Sequence, residues 1–580
     1  MVPGTEEVVG NAGRQGPSTF STWIIDGGLP LLAHVHVPAS GRARGVVVLC
    51  PPVGRAHVNT YRGVALVGQM LSERGVVAVR FDYPGVGDSA GDQRSPTIVS
   101  DWIASVRRAI EYARAFGLGA PAVAGLGVGG LLASAAVAEC GGTADVRGLA
   151  LWDPVLSGKQ FVRQQQLQYR IGTKTEPADP DVVHLPGLDM AVNARDALAQ
   201  LSLTTTIPEV RKLNAVLLAV RAESMRLPPV LELARQLDTE PMPLHGQDDF
   251  VNPFGYVGVL AEENVVGLVE WLAGCFEAGD SPVRVQVTLC AEIDGVQESI
   301  ERIGKTGLFS IRTAPLELSP DSRLVLMHAT SNEHRIGPAR LWVEVARAAA
   351  REGHLALRFD RRGTGESGVV VSNERTEIYD ALSRHDANAV TRASGVPSSR
   401  IVTTGVCSGA WLAGYSAANA KAGGAVVVNN MVWTMRPRKM DQARIAALSR
   451  RDPSRDRGES AGIRARSIVR RSLPYVLWLW LGRRGSAQVP EVMLKRLHRR
   501  GVAPRVVLSP ADTDFFYKQR GGESLERLGR RGWRQRMVFA PQGDHAAQEA
   551  VIRGIVRREV LAALSPDRTV AGSGGEPQGE

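Results

Sequence analysis

The chain of 580 residues carries 69 Lys and Arg against 59 Asp and Glu, with 44% apolar and 22% charged residues. That length exceeds what one hydrophobic core serves, and the composition is that of an ordinary globular protein, not a fibrous or disordered one. No apolar run approaches the roughly 20 residues of a spanning helix. Five scattered cysteines without a C-x-x-C pair exclude a disulfide framework or a zinc module and fit free thiols in a reducing cytoplasm.

In chain order, residues 1–18 read as a disordered leader. Trp23–Ile25 and Leu31–Val37 flank Asp26-Gly27-Gly28 as a hairpin. Gly45–Cys50 is a continuous apolar run, as in a strand buried on both faces. A helix over 64–74 leads to a strand ending in Arg80-Phe81-Asp82, then a helix over 98–116, then Ala122–Ala124 entering Gly125-Leu126-Gly127-Val128-Gly129. Strands alternating with helices and joined at glycine turns predict a parallel sheet covered on both faces. The same order recurs downstream. Arg-Phe-Asp returns at 358–360, and the glycine-flanked turn centred on Gly127 returns centred on Cys407, at nearly the same offset. Two landmarks at one offset predict duplicated domains. The expected division is 19–272, a linker at 273–282, and 283–565, with a Gly/Ser/Glu-rich disordered tail at 566–580.

The chemistry points to Gly405-Val406-Cys407-Ser408-Gly409. A short β-branched strand, a glycine-flanked turn and a helix of small residues make the context of a nucleophile elbow. Its tip residue adopts a strained backbone, and the flanking glycines remove Cβ atoms that would clash. A thiol at a helix N-terminus has its anion favoured by the helix dipole. The plain structural reading, a small buried cysteine in a tight turn, is weakened by an acid and a base further along the chain. Asp512 (with Asp514 as second choice) and His545 each stand in a loop just after a strand, in the order nucleophile, acid, base. The backbone N–H of Ser408 is one candidate oxyanion donor. In the first copy the tip is Gly127, Glu223 stands where the acid is sought, and His245 falls before its turn, so that copy reads as catalytically inert. The glycines at 125–130 miss the spacing of a dinucleotide fingerprint. No metal or cofactor is implied.

With these motifs the chain resembles the α/β-hydrolase superfamily twice over. It is similar to bacterial exosortase-associated and serine-aminopeptidase-like members in Cys50-Pro51-Pro52, in 80–89, and in His334–Trp342. The resemblance implies two tandem α/β-hydrolase domains, each a mostly parallel sheet covered by helices. It also places a second oxyanion donor at the backbone of Ala329 or Thr330; by their polarity His328, His334 and Arg335 either line the pocket mouth or are solvated loop residues. The departures are glycine for the nucleophile in the first copy and cysteine for serine in the second.

One stretch carries the basic character. Residues 434–500 hold 18 Lys and Arg against 5 Asp and Glu, whereas the remainder holds 51 against 54. A cap over the active site is commonly inserted there in the resembled superfamily. Its apolar run Leu473–Leu481 is open to three readings: an acyl pocket, a membrane-surface segment, or ordinary cap core. The arginines read first as a solvated basic surface, and otherwise suit an anionic partner such as a carboxylate substrate, coenzyme A or an acyl carrier protein. The aromatics form an apolar block instead of interleaving with the basic residues, which argues against nucleic acid. The expectation is a cytoplasmic cysteine hydrolase acting on an ester or thioester through an acyl-enzyme. The alternatives are an acyltransferase or thioesterase-like cyclase, and a non-catalytic binding protein that kept the fold; oligomerisation is left open.

Overall fold

The computed structural model describes residues 18–139, 145–173, 179–253, 262–331, 333–371, 378–436 and 473–565, and the backbone of 5–9. The chain divides into two compact units. The first comprises Met1–Glu301, Asn332–Arg340 and Gly363–Thr376; the second comprises Arg302–Ser331, Leu341–Arg362 and Glu377–Glu580. Residues 283–301 thus fall with the first unit, as do two loops that leave strands of the second sheet. The tail from 566 and the cap interior at 437–472 lie outside the described residues.

The first unit is built on an eight-stranded sheet in the order Met242–Leu244, Val216–Arg221, Gly148–Trp152, Ala122–Leu126, Gly45–Cys50, Val76–Phe81, Leu31–Val37, Ser18–Ile24. In the second unit the order is Arg536–Phe539, Ala503–Leu508, Gly424–Val428, Ile401–Val406, Leu324–His328, Leu355–Phe359, Leu308–Pro315. These seven strands follow the order of the first seven of the other sheet, all but the last pairing among them are parallel, and Val296–Ile303 and Cys290–Ile293 extend the second sheet to nine strands. Both units are α/β domains.

Sequence explains why these runs are central strands. Gly45–Cys50, Val76–Phe81, Ile401–Val406 and Gly424–Val428 are buried at every position, as β-branched strands covered on both faces must be. Successive side chains alternate faces, so Leu324 and Leu326 join a core with Trp411 while Val325 and Met327 join one with Trp342. The helix Ser408–Ala420 lies against its own strand because its residues are small. A Cβ on Gly405 would come within 2.3 Å of the Gly409 backbone, and one on Gly409 within 2.4 Å of the His328 carbonyl oxygen. Gly125 and Gly129 repeat both restrictions in the first unit, at 2.5 Å and 2.4 Å.

The leader is a correction. Within 1–18, Thr5–Val9 forms a strand paired antiparallel with Arg284–Thr288. Its partner lies far along the chain, so no local pattern reveals it. A second correction concerns His334 and Arg335, which do not line a pocket mouth but are buried in the first unit. Arg335 meets Asp88 at 2.8 Å with both side chains fully enclosed, and His334 stacks on Tyr61 at 4.2 Å between ring centres. Beside them Arg80 donates to both carboxylate oxygens of Glu366 at 2.9 Å.

Candidate active site

The site of the second unit is built at the carboxyl ends of its parallel strands, where loops from neighbouring strands converge. Cys407 follows Ile401–Val406 directly, with φ 52° and ψ −114°, and caps the helix Ser408–Ala420. A side chain at positive φ is strained, and the turn is held by the Cys407 N–H donating to the Val428 carbonyl at 2.9 Å. Gly127, at φ 60°, makes the same bond to Trp152 at 2.9 Å. The two elbows therefore share one backbone and differ in the atom each presents.

Asp512 sits in the first turn of the helix Pro510–Lys518, whose N-cap is Ser509 and whose first residue is a proline. That is a strong helix-start signal in sequence. Its Oδ1 meets His545 Nδ1 at 2.8 Å, and its Oδ2 accepts from Ser509 Oγ at 2.5 Å. Both carboxylate oxygens are thus engaged, and the residue is buried at 4% exposure. Asp514 is exposed on the same helix.

His545 lies in the loop after Arg536–Phe539. Its Nε2 is enclosed and has no well-aligned hydrogen-bond partner, while the Cys407 thiol is close enough to act on the ring's protonation. Burial alone would pull the imidazole down. Its interactions with Cys407 and the Asp512 hydrogen bond outweigh it and hold His545 well above its ordinary range.

The loop after Leu324–His328 lies against the elbow. Ser331 donates its N–H to Ser408 Oγ at 3.0 Å, and Thr330 Oγ1 meets the same hydroxyl at 3.1 Å. Ala329 and Thr330 are both buried. The Ser408 side chain therefore fixes the loop that brings the Ala329 and Thr330 backbone beside Cys407. His328 itself is a core residue: it meets Ser416 Oγ at 3.1 Å, packs edge-on to Phe359, and burial pushes its imidazole down to about 3.

Asn429 was not singled out from the sequence. It follows Gly424–Val428 with φ 49° and is fully buried. Its side-chain amide donates to the carbonyls of Asp544 and His545 at 3.0 and 2.9 Å, and its Oδ1 accepts from the Ser509 N–H at 2.7 Å. One side chain thereby ties the acid loop to the base loop. The available signal was an Asn directly after a buried strand, the residue that best tolerates a left-handed backbone.

Among the described residues of the first unit the corresponding positions differ. Gly127 has no side chain, and Glu223 and His245 are exposed. Cys50 pairs with Gly125 as His328 pairs with Gly405, so Pro51 and Pro52 stand where Ala329 and Thr330 stand. A proline has no N–H to donate.

In the basic stretch, Tyr475–Arg483 and Pro490–Arg499 are helices. Tyr475, Trp478 and Leu479 pack with Val489 in a small core, while Val476, Leu477 and Trp480 are exposed. The wholly buried Glu491 receives Tyr475 Oη, Arg527 and Arg531. Arg483, Lys495, Arg496, Arg499 and Arg500 line a basic depression beside Leu479 and Val492. No helix among the described residues is long and apolar enough to cross a membrane. Cys50, Cys275, Cys290 and Cys407 are free thiols.

No family model and no curated protein matches the sequence. Among solved structures the chain is similar to Est1E from Butyrivibrio proteoclasticus, at 16% identity over 44% of this chain and 96% of that one, with a TM-score of 0.33. It is similar to a thioesterase domain from the curacin biosynthetic pathway at 12% identity, over 44% of this chain and 99% of that one, TM-score 0.30. A dienelactone hydrolase from Anabaena variabilis is 12% identical, over 47% of this chain and 98% of that one, TM-score 0.29.

Proposed function

We propose that the second unit is a cysteine hydrolase of α/β-hydrolase type that cleaves an ester or thioester through an acyl-enzyme. The observation that carries the reading is the His545–Asp512 pair, bonded at 2.8 Å, set beside a cysteine held at positive φ on an elbow. Cys407 Sγ attacks the acyl carbonyl carbon as its thiolate, and His545 carries the thiol proton. The developing oxyanion is met by the Ser408 N–H and by the backbone N–H of Ala329 or Thr330. Collapse of the tetrahedral species breaks the bond to the leaving alcohol or thiol, which takes the proton from His545. Water, deprotonated by His545, then attacks the thioester and releases the acid and Cys407. Asp512 holds the imidazole with Nε2 toward the reacting atoms and stabilises its protonated form.

The substrate read here is an acyl small molecule, and the basic depression at Arg483, Arg499 and Arg500 favours an anionic carrier for it, coenzyme A or the acidic face of an acyl carrier protein. Transfer of the acyl group to an amine, an alcohol or an internal nucleophile is the second reading. It is favoured by the cysteine itself, since a thioester is readily attacked by such acceptors.

Intact mass after mixing the protein with a panel of acyl thioesters and activated esters, wild type beside Cys407→Ala, tests the proposal. An adduct on the wild type that vanishes in the variant is expected. Decay of that adduct in water identifies a hydrolase, and decay only with an added amine or alcohol identifies a transferase. Absence of any adduct, with Cys407 alkylated by iodoacetamide no faster than a free thiol, overturns both and leaves a binding protein.

A further inference from the structure

The first unit keeps the strand order and the glycine-built elbow of its catalytic counterpart, and it also keeps a cavity. That cavity measures about 320 Å³ and lies within the first unit, over Gly127 and Val128. Its size is within the ordinary range of small-molecule pockets. The elbow presents no nucleophile to it: the tip is a glycine, the lining carboxylate of Asp153 is held by Arg221, and Pro51 and Pro52 remove two backbone donors. A ligand entering here would be held, not consumed.

The lining states what kind of ligand. Phe161, Gln164, Gln165 and Gln168 line one side of the cavity from the helix Gly158–Thr173, at spacings of three, four and seven from Phe161, which is one helix face. Gln165 Nε2 donates to Gln168 Oε1 at 3.1 Å, which leaves the Gln164 carboxamide, the Gln168 amide N–H and the Gln165 carbonyl; together these both donate and accept, so they serve hydroxyl and amide groups equally. Val53, Val128, Val155 and Phe161 supply apolar surface.

The charged residues at the wall already have partners. Arg221 Nε meets both oxygens of Asp153 at 3.2 and 3.0 Å, and its Nη1 meets Asp248 at 2.9 Å. Arg55 Nη1 donates to Glu333 at 2.5 Å. An ion entering would have to displace an existing pair; a neutral molecule would not.

We propose that this cavity is a binding site for a neutral small molecule that carries hydroxyl or amide groups on one face and an apolar body on the other. The site is independent of the acyl chemistry read for Cys407. Failure of that chemistry leaves it standing.

The test uses the full chain with Cys407→Ala, so that no probe is captured covalently in the second unit. Phenyl β-glucoside and N-acetylphenylalanine amide are the neutral probes; phenylacetate and phenethylammonium are the charged ones. Binding is read by saturation-transfer NMR and titration calorimetry. Both neutral probes are expected to bind, with the charged ones at least about tenfold weaker. Gln164→Ala with Gln168→Ala is expected to weaken the neutral probes about tenfold, the loss of one to two hydrogen bonds. Val155→Trp, which fills the cavity, is expected to abolish binding. Circular dichroism and the iodoacetamide rate of Cys407 in the otherwise wild-type chain control for folding. Lack of binding by both neutral probes, equal binding of the charged ones, or binding that survives both the glutamine and the Val155 variants overturns the proposal.

Discussion

Asn429 holds His545 by its backbone: the side-chain amide donates to the His545 carbonyl at 2.9 Å. The same side chain accepts from Ser509 N–H, three residues before Asp512. If that bridge positions the His–Asp pair, Asn429→Gly should keep the left-handed backbone and lose only the tie. We expect kcat to fall about 10²-fold with KM little changed, the cost of a small misplacement of a catalytic group. The break in the pH–rate profile should shift as well. Lower thermal stability with an unmoved break would mean that Asn429 serves only the fold.

The His545 imidazole gives a signed pH prediction. Burial lowers it, and Cys407 and Asp512 raise it by more. Cys407→Ala removes the first of the upward causes, so His545 should titrate at lower pH in that variant, followed by the ring-proton NMR signal. Because the folded-state value is raised, its contribution to stability is full below about pH 6.5 and is lost as pH rises through that folded value. The variant should therefore lose less stability on the alkaline side. Identical titration in both proteins would dissolve the pairing.

Acid should unfold the protein early. Burial pushes His34, His328 and His334 down to about 3, against about 6.5 when unfolded. The unfolded chain then binds more protons between those values, and stability falls as pH drops from about 6.5 toward 3. His334 has both ring nitrogens buried without a hydrogen-bond partner while stacking on Tyr61. His334→Phe keeps the stack and removes the buried nitrogens, so it should raise stability by about 1 kcal/mol and shallow the acid loss. A variant that is less stable by urea denaturation would contradict this.

Gly127→Cys restores a thiol to the first elbow and should restore nothing else. Prolines occupy the donor positions, and His245 is exposed in place of a base. Intact mass with an acyl thioester on the Gly127→Cys, Cys407→Ala chain is expected to show no adduct. An adduct there would show that the elbow alone suffices.

Much of the site was legible because its parts obey local rules. The glycines around Cys407 announce an elbow, and the apolar run at 505–508 announces the strand that Asp512 follows, although Asp512 stands in the first turn of a helix and not in a loop. The α/β architecture followed from continuous apolar strands. What was not legible depends on distant partners. Thr5–Val9 is a strand only because Arg284–Thr288 lies beside it. Asn429 matters through two loops far along the chain. His334 and Arg335 read as loop residues because polar side chains usually face water, and only Tyr61 and Asp88 explain their burial.

The loop that begins with Ala329, Thr330 and Ser331 beside the elbow continues, two residues on, into a stretch that completes the other unit. There Glu333 meets Arg55, Arg335 meets Asp88, and Arg340 donates to the carbonyls of Gly87 and Gly91. A chain cut at the expected linker would leave these arginines stranded from the acids and carbonyls that solvate them. Duplication usually frees one copy to decay and vanish. Here two segments from the second half of the chain furnish part of the first unit's interior, so deletion of the first half would expose charge that the remainder cannot shed. The two are bound to be inherited together.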